Sequence, residues 1–149
     1  MRRVLLAVAL VLGLTACAVP GGSGRPHVVV TTNILGDVVE NVLGDQADVT
    51  TLMPPNADPH STEISARQAA EMGDADLVVS NGLGLEEGLQ QHVDRTADAG
   101  VPQLVAGDEV EVVPYASGDA AGTPDPHFWT DPARMVDVVD ALEAAAADI

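Results

Sequence analysis

Lysine is absent from this 149-residue chain, cysteine occurs once, and the six basic residues face 23 acidic ones. Each shortage narrows the function. A formal net charge of −17 leaves no basic surface to hold a phosphate backbone, which argues against nucleic acid and against a polybasic grip on anionic lipid. A single thiol can form no internal disulfide and cannot build a thiolate metal site. No His-Glu-x-x-His element or comparable constellation occurs, so a zinc hydrolase with two histidines, a carboxylate base and an open water position lacks its general base. The apolar run at residues 4–14 (VLLAVALVLGL) is too short to cross a bilayer as a helix.

That run has another use. Arg2 and Arg3 precede it, and together they have the form of a secretory signal. Leu14-Thr15-Ala16-Cys17 follows and resembles a bacterial lipobox, in which cleavage before the cysteine leaves it as the lipid-modified N-terminus. Residues 1–16 are therefore expected to be a lipoprotein signal peptide and Cys17 the lipidation site. The expected location is the extracytoplasmic face of the cell membrane, held by a lipid anchor. Removing residues 1–16 leaves 133 residues, enough for one domain with its own core, and four basic residues against 23 acidic ones. Residues 17–26 are rich in Gly, Pro and small side chains and read as a flexible tether.

Beyond the tether, short apolar runs alternate with helical periodicity. Residues 27–32 (HVVVTT) read as a strand, and Asn33 as the N-cap of a helix over 34–43 that Gly44 ends. Residues 47–53 (ADVTTLM) read as a second strand. Ser65 and Gln68 have capping-box spacing, which predicts a helix to about Met72. Strands are predicted at 77–80 and 101–106, a helix with Leu85, Leu89 and Val93 on one face at 85–97, and a further short strand at 109–115. Asp131 as N-cap and Pro132 at the first helical position open a helix expected to run to Ile149. This alternation predicts an α/β fold: a single lobe with a four-stranded, mostly parallel sheet flanked by helices. Residues 27–131 make the lobe, and 132–149 begin a long helix that leaves it.

One tripeptide occurs twice, as Asp58-Pro59-His60 and as Asp125-Pro126-His127, the second running on through Phe128-Trp129-Thr130-Asp131-Pro132. Neutral imidazole is the commonest ligand for zinc-class metals, and a proline just before it, with φ fixed near about −65°, narrows where the ring can point. Both copies follow strand-like runs. In open α/β sheets ligands bind beyond the carboxyl ends of the strands, so His60 and His127 are expected at one rim as joint metal ligands. Asp58 and Asp125 either orient the neighbouring imidazole or open an Asx-type turn before proline; both readings stand. Glu63 is another carboxylate close in sequence, Trp129 is expected to pack against the core beside the site, and Asp131 reads as a helix cap. His27, beside the tether, and His92, in a Glu/Gln-rich helix, are expected to be solvated and apart from the metal.

The lipobox, VVVTTNILGDVVENVLGD, LMPPNADPH, SARQAAEMGDADLVVSNGLGLEEGL and DPHFWTDP follow one another from Val28 to Pro132 after the leader. This ordered set resembles the N-terminal half of the bacterial lipoproteins that feed zinc or manganese to ABC importers, the cluster A-I solute-binding proteins. The resemblance implies a protein that is not an enzyme, that captures a divalent Zn or Mn ion, and that delivers it to an ABC permease and its ATPase. It makes His60 and His127 the first two ligands and the helix from Pro132 the start of a rigid connection between two lobes. In the family a His or Glu and then an Asp come from a C-terminal lobe, which this sequence does not reach. The expectation is therefore a truncated form, with a non-functional fragment or a surface adhesin as alternatives. Two departures stand out: the position two after the first histidine, often aromatic in relatives, is Thr62, and residues 116–125 (ASGDAAGTPD) carry no histidine where many zinc-specific relatives have a His-rich insert. Zinc and manganese both stay open.

Overall fold

The computed structural model describes residues 24–149; the signal-like segment, Cys17 and the first part of the tether lie outside the described residues. Four strands, β1 (His27–Val30), β2 (Asp48–Thr51), β3 (Leu77–Ser80) and β4 (Gln103–Val105), form one sheet in the order β2-β1-β3-β4. Every pairing in it is parallel. Helices α1 (Asn33–Leu43), α2 (Ala66–Gly73) and α3 (Gln90–Asp98) connect successive strands, and α4 (Pro132–Ala146) follows a long excursion after β4. This is the predicted single α/β lobe, with a wholly parallel sheet.

A parallel sheet needs cover on both faces, and the sequence supplies strands that are apolar on both. Val28, Val29 and Val30 are each 0 % exposed. Val28, Val30, Leu77 and Val79 join Leu35, Val39, Phe128, Val138 and Leu142 in one core, beneath α1 and α4. Val29 and Val78 turn the other way and meet Leu52, Met72, Leu89 and Val93, beneath α2 and α3. The period-2 alternation of a strand thus divides one valine run between two cores.

The helix starts follow local side-chain chemistry. The capping box of α2 forms, with Ser65 Oγ accepting from the Gln68 amide and the Gln68 side chain accepting from the Ser65 amide at 3.0 Å. At α4, Asp131 accepts from the Ala133 amide at 3.0 Å, with Pro132 at the first helical position. The cap of α1 is Thr32 and not Asn33: Thr32 keeps the extended backbone of β1, and its hydroxyl accepts from the Leu35 amide at 3.3 Å.

Three other elements differ from the predicted ones. The helix expected from Leu85 starts only at Gln90, because Leu85, Glu86 and Leu89 all turn inward from the preceding loop. No strand forms at 109–115; that segment is a loop, joined only by a bridge between Pro114 and Pro124, neither of which has an N–H to extend a ladder. Helix α4 ends at Ala146 rather than Ile149, its last turn tightening into i→i−3 bonds from Ala147 to Ala144 and from Asp148 to Ala145, both 3.3 Å.

Helix α1 crosses β2 closely at Gly36, where a Cβ would lie 2.2 Å from Thr51 Oγ1 and 3.2 Å from Thr51 Cβ, so no rotation of Thr51 makes room. Gly36→Ala should therefore destabilise the fold by about 1–3 kcal/mol despite alanine's better helix propensity. Gly73→Ala, where a Cβ meets nothing within 4 Å, should be neutral or stabilising by up to about 1 kcal/mol. Urea unfolding of both variants checks the pair, and equal effects would contradict this packing.

Candidate metal centre

Strand order reverses direction between β1 and β3, so the chain diverges there and leaves a crevice at the carboxyl edge of the sheet. The loop leaving β2 builds one wall of it. Ala57 N donates to Pro54 O at 3.2 Å around Pro55 and Asn56, and Asn56 takes φ 65°, the type II turn pattern that asparagine tolerates. Asp58 then opens a second turn. Its carboxylate accepts from His60 N at 3.1 Å and from Ser61 Oγ at 2.9 Å, and its carbonyl accepts from Thr62 Oγ1 at 2.6 Å. The Ser61 hydroxyl, and after it the His60 amide, hold this carboxyl below the ordinary aspartate range. Asp58 therefore shapes the backbone under His60 and does not touch the ring. Thr62 closes the same turn. His60 itself is exposed.

The second motif is reached by a loop that folds back on itself. Tyr115 N donates to Thr123 O at 2.9 Å, Gly122 N to Tyr115 O at 3.0 Å and Asp125 N to Val113 O at 2.9 Å. This return brings Tyr115 beside Asp125 and His127. Asp125 Oδ1 accepts from His127 N at 3.0 Å and lies 2.7 Å from His127 Nδ1, while the Tyr115 hydroxyl is 3.1 Å from the same nitrogen. Asp125 thus fills both roles left open for it: it makes the turn and it orients the imidazole. The His127 backbone amide, and after it the His127 ring, keep the Asp125 carboxyl below its ordinary range. Burial, and then the charge on Asp125, raise the Tyr115 phenol, so it remains a hydroxyl. An ionised carboxylate only accepts, so the proton on the ring belongs on Nδ1 and the Nε2 lone pair is left for a ligand.

The two rings meet: the His60 and His127 centroids are 5.8 Å apart, with their planes at 57°. With metal–nitrogen bonds of about 2.0–2.1 Å, the centres of two imidazoles on one ion lie no more than about 6 Å apart. The separation allows a shared ion. Among the described residues no group of three or more His, Cys, Asp or Glu side chains gathers at one point. Asp58 and Asp125 are committed to their turns, and Glu63 is exposed, with no hydrogen bond to either ring among the described residues.

The chain has one Tyr, one Trp and one Phe, and all three gather at the second motif. The ring of Trp129 lies 5.1 Å from that of His127, edge to face, and Tyr115 lies 6.2 Å away. The core packing expected of Trp129 is performed by Phe128, 2 % exposed, because the 3₁₀ turn Phe128–Thr130 points successive side chains to different sides. Trp129 is half-buried and lines an open apolar pocket with Met53, Pro59 and Leu85. His27 and His92 are half-buried rather than solvated, and His27 Nε2 lies 2.9 Å from Thr50 Oγ1 at the amino end of the sheet. Among the described residues neither makes a ring contact with the pair. Tyr115 was invisible to sequence periodicity; its being the only tyrosine was the one available signal.

Nitrogen-15 NMR of the side chains at alkaline pH should find His127 mainly as the Nδ1–H tautomer. His60, whose ring has no such carboxylate, should not share that preference. Asp125→Leu should abolish it at His127, and an unchanged tautomer there would show that the 2.7 Å contact does not govern the ring.

The chain and its fold have relatives among known proteins. The family model described as ZnuA, zinc-uptake complex component A, periplasmic, matches residues 28–149. The manganese-binding lipoprotein MntA of Halalkalibacterium halodurans is 34% identical over 115 residues, 77% of this chain and 37% of that protein. The iron-binding protein YfeA of Yersinia pestis is 27% identical over 130 residues, 87% of this chain and 41% of that protein. Among solved structures, the periplasmic zinc-binding protein TroA from Treponema pallidum superposes with a TM-score of 0.74 at 26% identity, over 84% of this chain and 44% of that one. The chain spans less than half the length of each of these relatives. The matched segment takes in all of the sheet but His27, and both Asp-Pro-His motifs, and the chain belongs to the ZnuA family of solute-binding proteins, which are not enzymes.

Proposed function

We propose that this chain captures a divalent transition metal, zinc or manganese, outside the cytoplasm through His60 and His127 and hands it to an ABC permease driven by its ATPase. The observation that carries this reading is the meeting of two imidazoles from separate, repeated Asp-Pro-His turns, 5.8 Å apart at the carboxyl edge of the sheet. Asp125 supports it by fixing the orientation and tautomer of the His127 ring, which leaves Nε2 toward the ion. Imidazole serves zinc, manganese and iron alike, and the names of the relatives, which mention all three, keep the choice of ion open. Two nitrogens fill half of a tetrahedral sphere. The remaining ligands come from a second lobe, with residues 27–131 as the first lobe and the helix from Pro132 as the start of the connection between them. Cys17 carries the lipid that keeps the protein beside its permease.

His60→Ala and His127→Ala should each weaken Zn²⁺ binding by at least about 100-fold, while His27→Ala and His92→Ala change it by no more than about twofold. Competition with a chromophoric chelator measures this, and equal losses from all four would sink the assignment. Affinity should also fall as pH drops from about 8 to about 5, the span in which imidazole ordinarily takes up its proton. The carboxylates do not cause this fall: with their pKa lowered, Asp58 and Asp125 keep their turns closed above the ordinary carboxylate range and lose them only in stronger acid.

Cys17→Ala should move the protein from the membrane fraction to the soluble fraction without changing metal affinity. If labelled fatty acid fails to co-migrate with the unsubstituted chain, the anchor is not lipid on Cys17.

A further inference from the structure

We infer that the loop between β3 and α3, residues 81–89, is the positioning element of the metal pair, with Asn81 holding the turn of His127 and Gly88 seating the turn of His60. The inference rests on the reading of His60 and His127 as metal ligands. It starts from a polar side chain in an improbable place. Asn81 is 0 % exposed, and its Nδ2 donates to Pro126 O at 3.1 Å and to Gly82 O at 3.2 Å. Pro126 lies directly before His127, so the bond fixes the peptide from which the imidazole departs. Asn81 Oδ1, by contrast, is buried with no hydrogen-bond partner. An isolated buried acceptor is unfavourable. Reversing the amide would set the oxygen against two carbonyls, so the nitrogen's bonds explain why asparagine is tolerated here.

The loop is itself held rigidly. Glu86, 2 % exposed, accepts from Asn81 N at 2.6 Å, from Gly82 N at 3.1 Å and from Thr31 Oγ1 at 2.6 Å. Asn81 O in turn accepts from Gly107 N at 2.8 Å. Both backbone groups of Asn81 are thereby fixed, which sets the point from which its side chain reaches Pro126 O.

The far end of the same loop meets the first motif. A Cβ on Gly88 would lie 2.3 Å from Thr62 O and 3.2 Å from Thr62 C. Those are backbone atoms, which no rotamer change can move aside. Thr62 Oγ1 donates to Asp58 O, so a displaced Thr62 carries the whole Asp58–Pro59–His60 turn with it. One rigid loop therefore sets both histidines, and their separation with them, without touching the ion. Neither Asn81 nor Gly88 is a ligand; both are positioning residues.

The test uses the 149-residue chain with Zn²⁺ and Co²⁺ alone as probes. Asn81→Leu removes the donor on the same branched skeleton, Gly88→Ala pushes on Thr62, and Leu142→Ala is a core truncation on α4 outside the site. Asn81→Leu and Gly88→Ala should each weaken Zn²⁺ binding by about 10-fold or more and shift the positions of the Co²⁺ d–d bands. Leu142→Ala should lower the unfolding midpoint yet leave Zn²⁺ affinity of the folded protein within about twofold and the bands in place. Loss of folded protein scales band amplitude, whereas a displaced imidazole moves band position. Should Asn81→Leu fail to fold, Asn81→Ser, too short to reach Pro126 O, replaces it with the same expected result. Wild-type affinity and band positions in the Asn81 and Gly88 variants would overturn the inference. If His60→Ala and His127→Ala leave Zn²⁺ affinity intact as well, it is the metal site itself that falls.

Discussion

A buried carboxyl group at the point where the sheet changes direction holds the architecture of the functional edge. Glu86 receives a hydroxyl donor from Thr31, just beyond β1, and two amide donors from Asn81 and Gly82, just beyond β3. β1 and β3 are the central strands, and their connections depart to opposite sides of the sheet. Such a crevice would otherwise expose unpaired N–H groups. A carboxyl group, which can accept several bonds at once, satisfies two of them along with the Thr31 hydroxyl and ties the two strand ends together. Without it the loop would be free to complete the helix that its apolar spacing favours.

The loops built on that edge carry the two histidines. Two Asp-Pro-His turns use the same device: the aspartate side chain accepts from the amide of the histidine two residues on, at 3.1 Å in the first copy and 3.0 Å in the second. They then diverge in role. His60 stays exposed on its turn. His127 is gripped by Asp125 and Tyr115 on one nitrogen and edged by Trp129. One ring is pre-oriented and the other is left with freedom to adjust. Under the proposed function, only part of the site is fixed before an ion binds.

Much of the fold was legible in the sequence because its signals are local. The valine runs of β1 and β3, the Ser65–Gln68 capping box and the Asp131–Pro132 helix start each act over a few residues, and each formed as read. The paired Asp-Pro-His motifs pointed to the rim for the same reason. What escaped depended on distant partners. Leu85 to Leu89 carry helical spacing, yet Glu86 spends its side chain on amides behind it, and the helix waits until Gln90. Tyr115 is brought to His127 by pairing between 113–115 and 122–125, which no periodicity encodes. The roles of Phe128 and Trp129 depended on a 3₁₀ turn, which rotates neighbours to faces that a helix or strand would not.

The central claim is that His60 and His127 share one ion, and X-ray absorption at the zinc edge of the Zn²⁺-loaded chain tests it most directly. The account expects two imidazole nitrogens at about 2.0–2.1 Å in the unsubstituted chain and one in His127→Ala. A spectrum with no imidazole scattering, or one unchanged by His127→Ala, would contradict it.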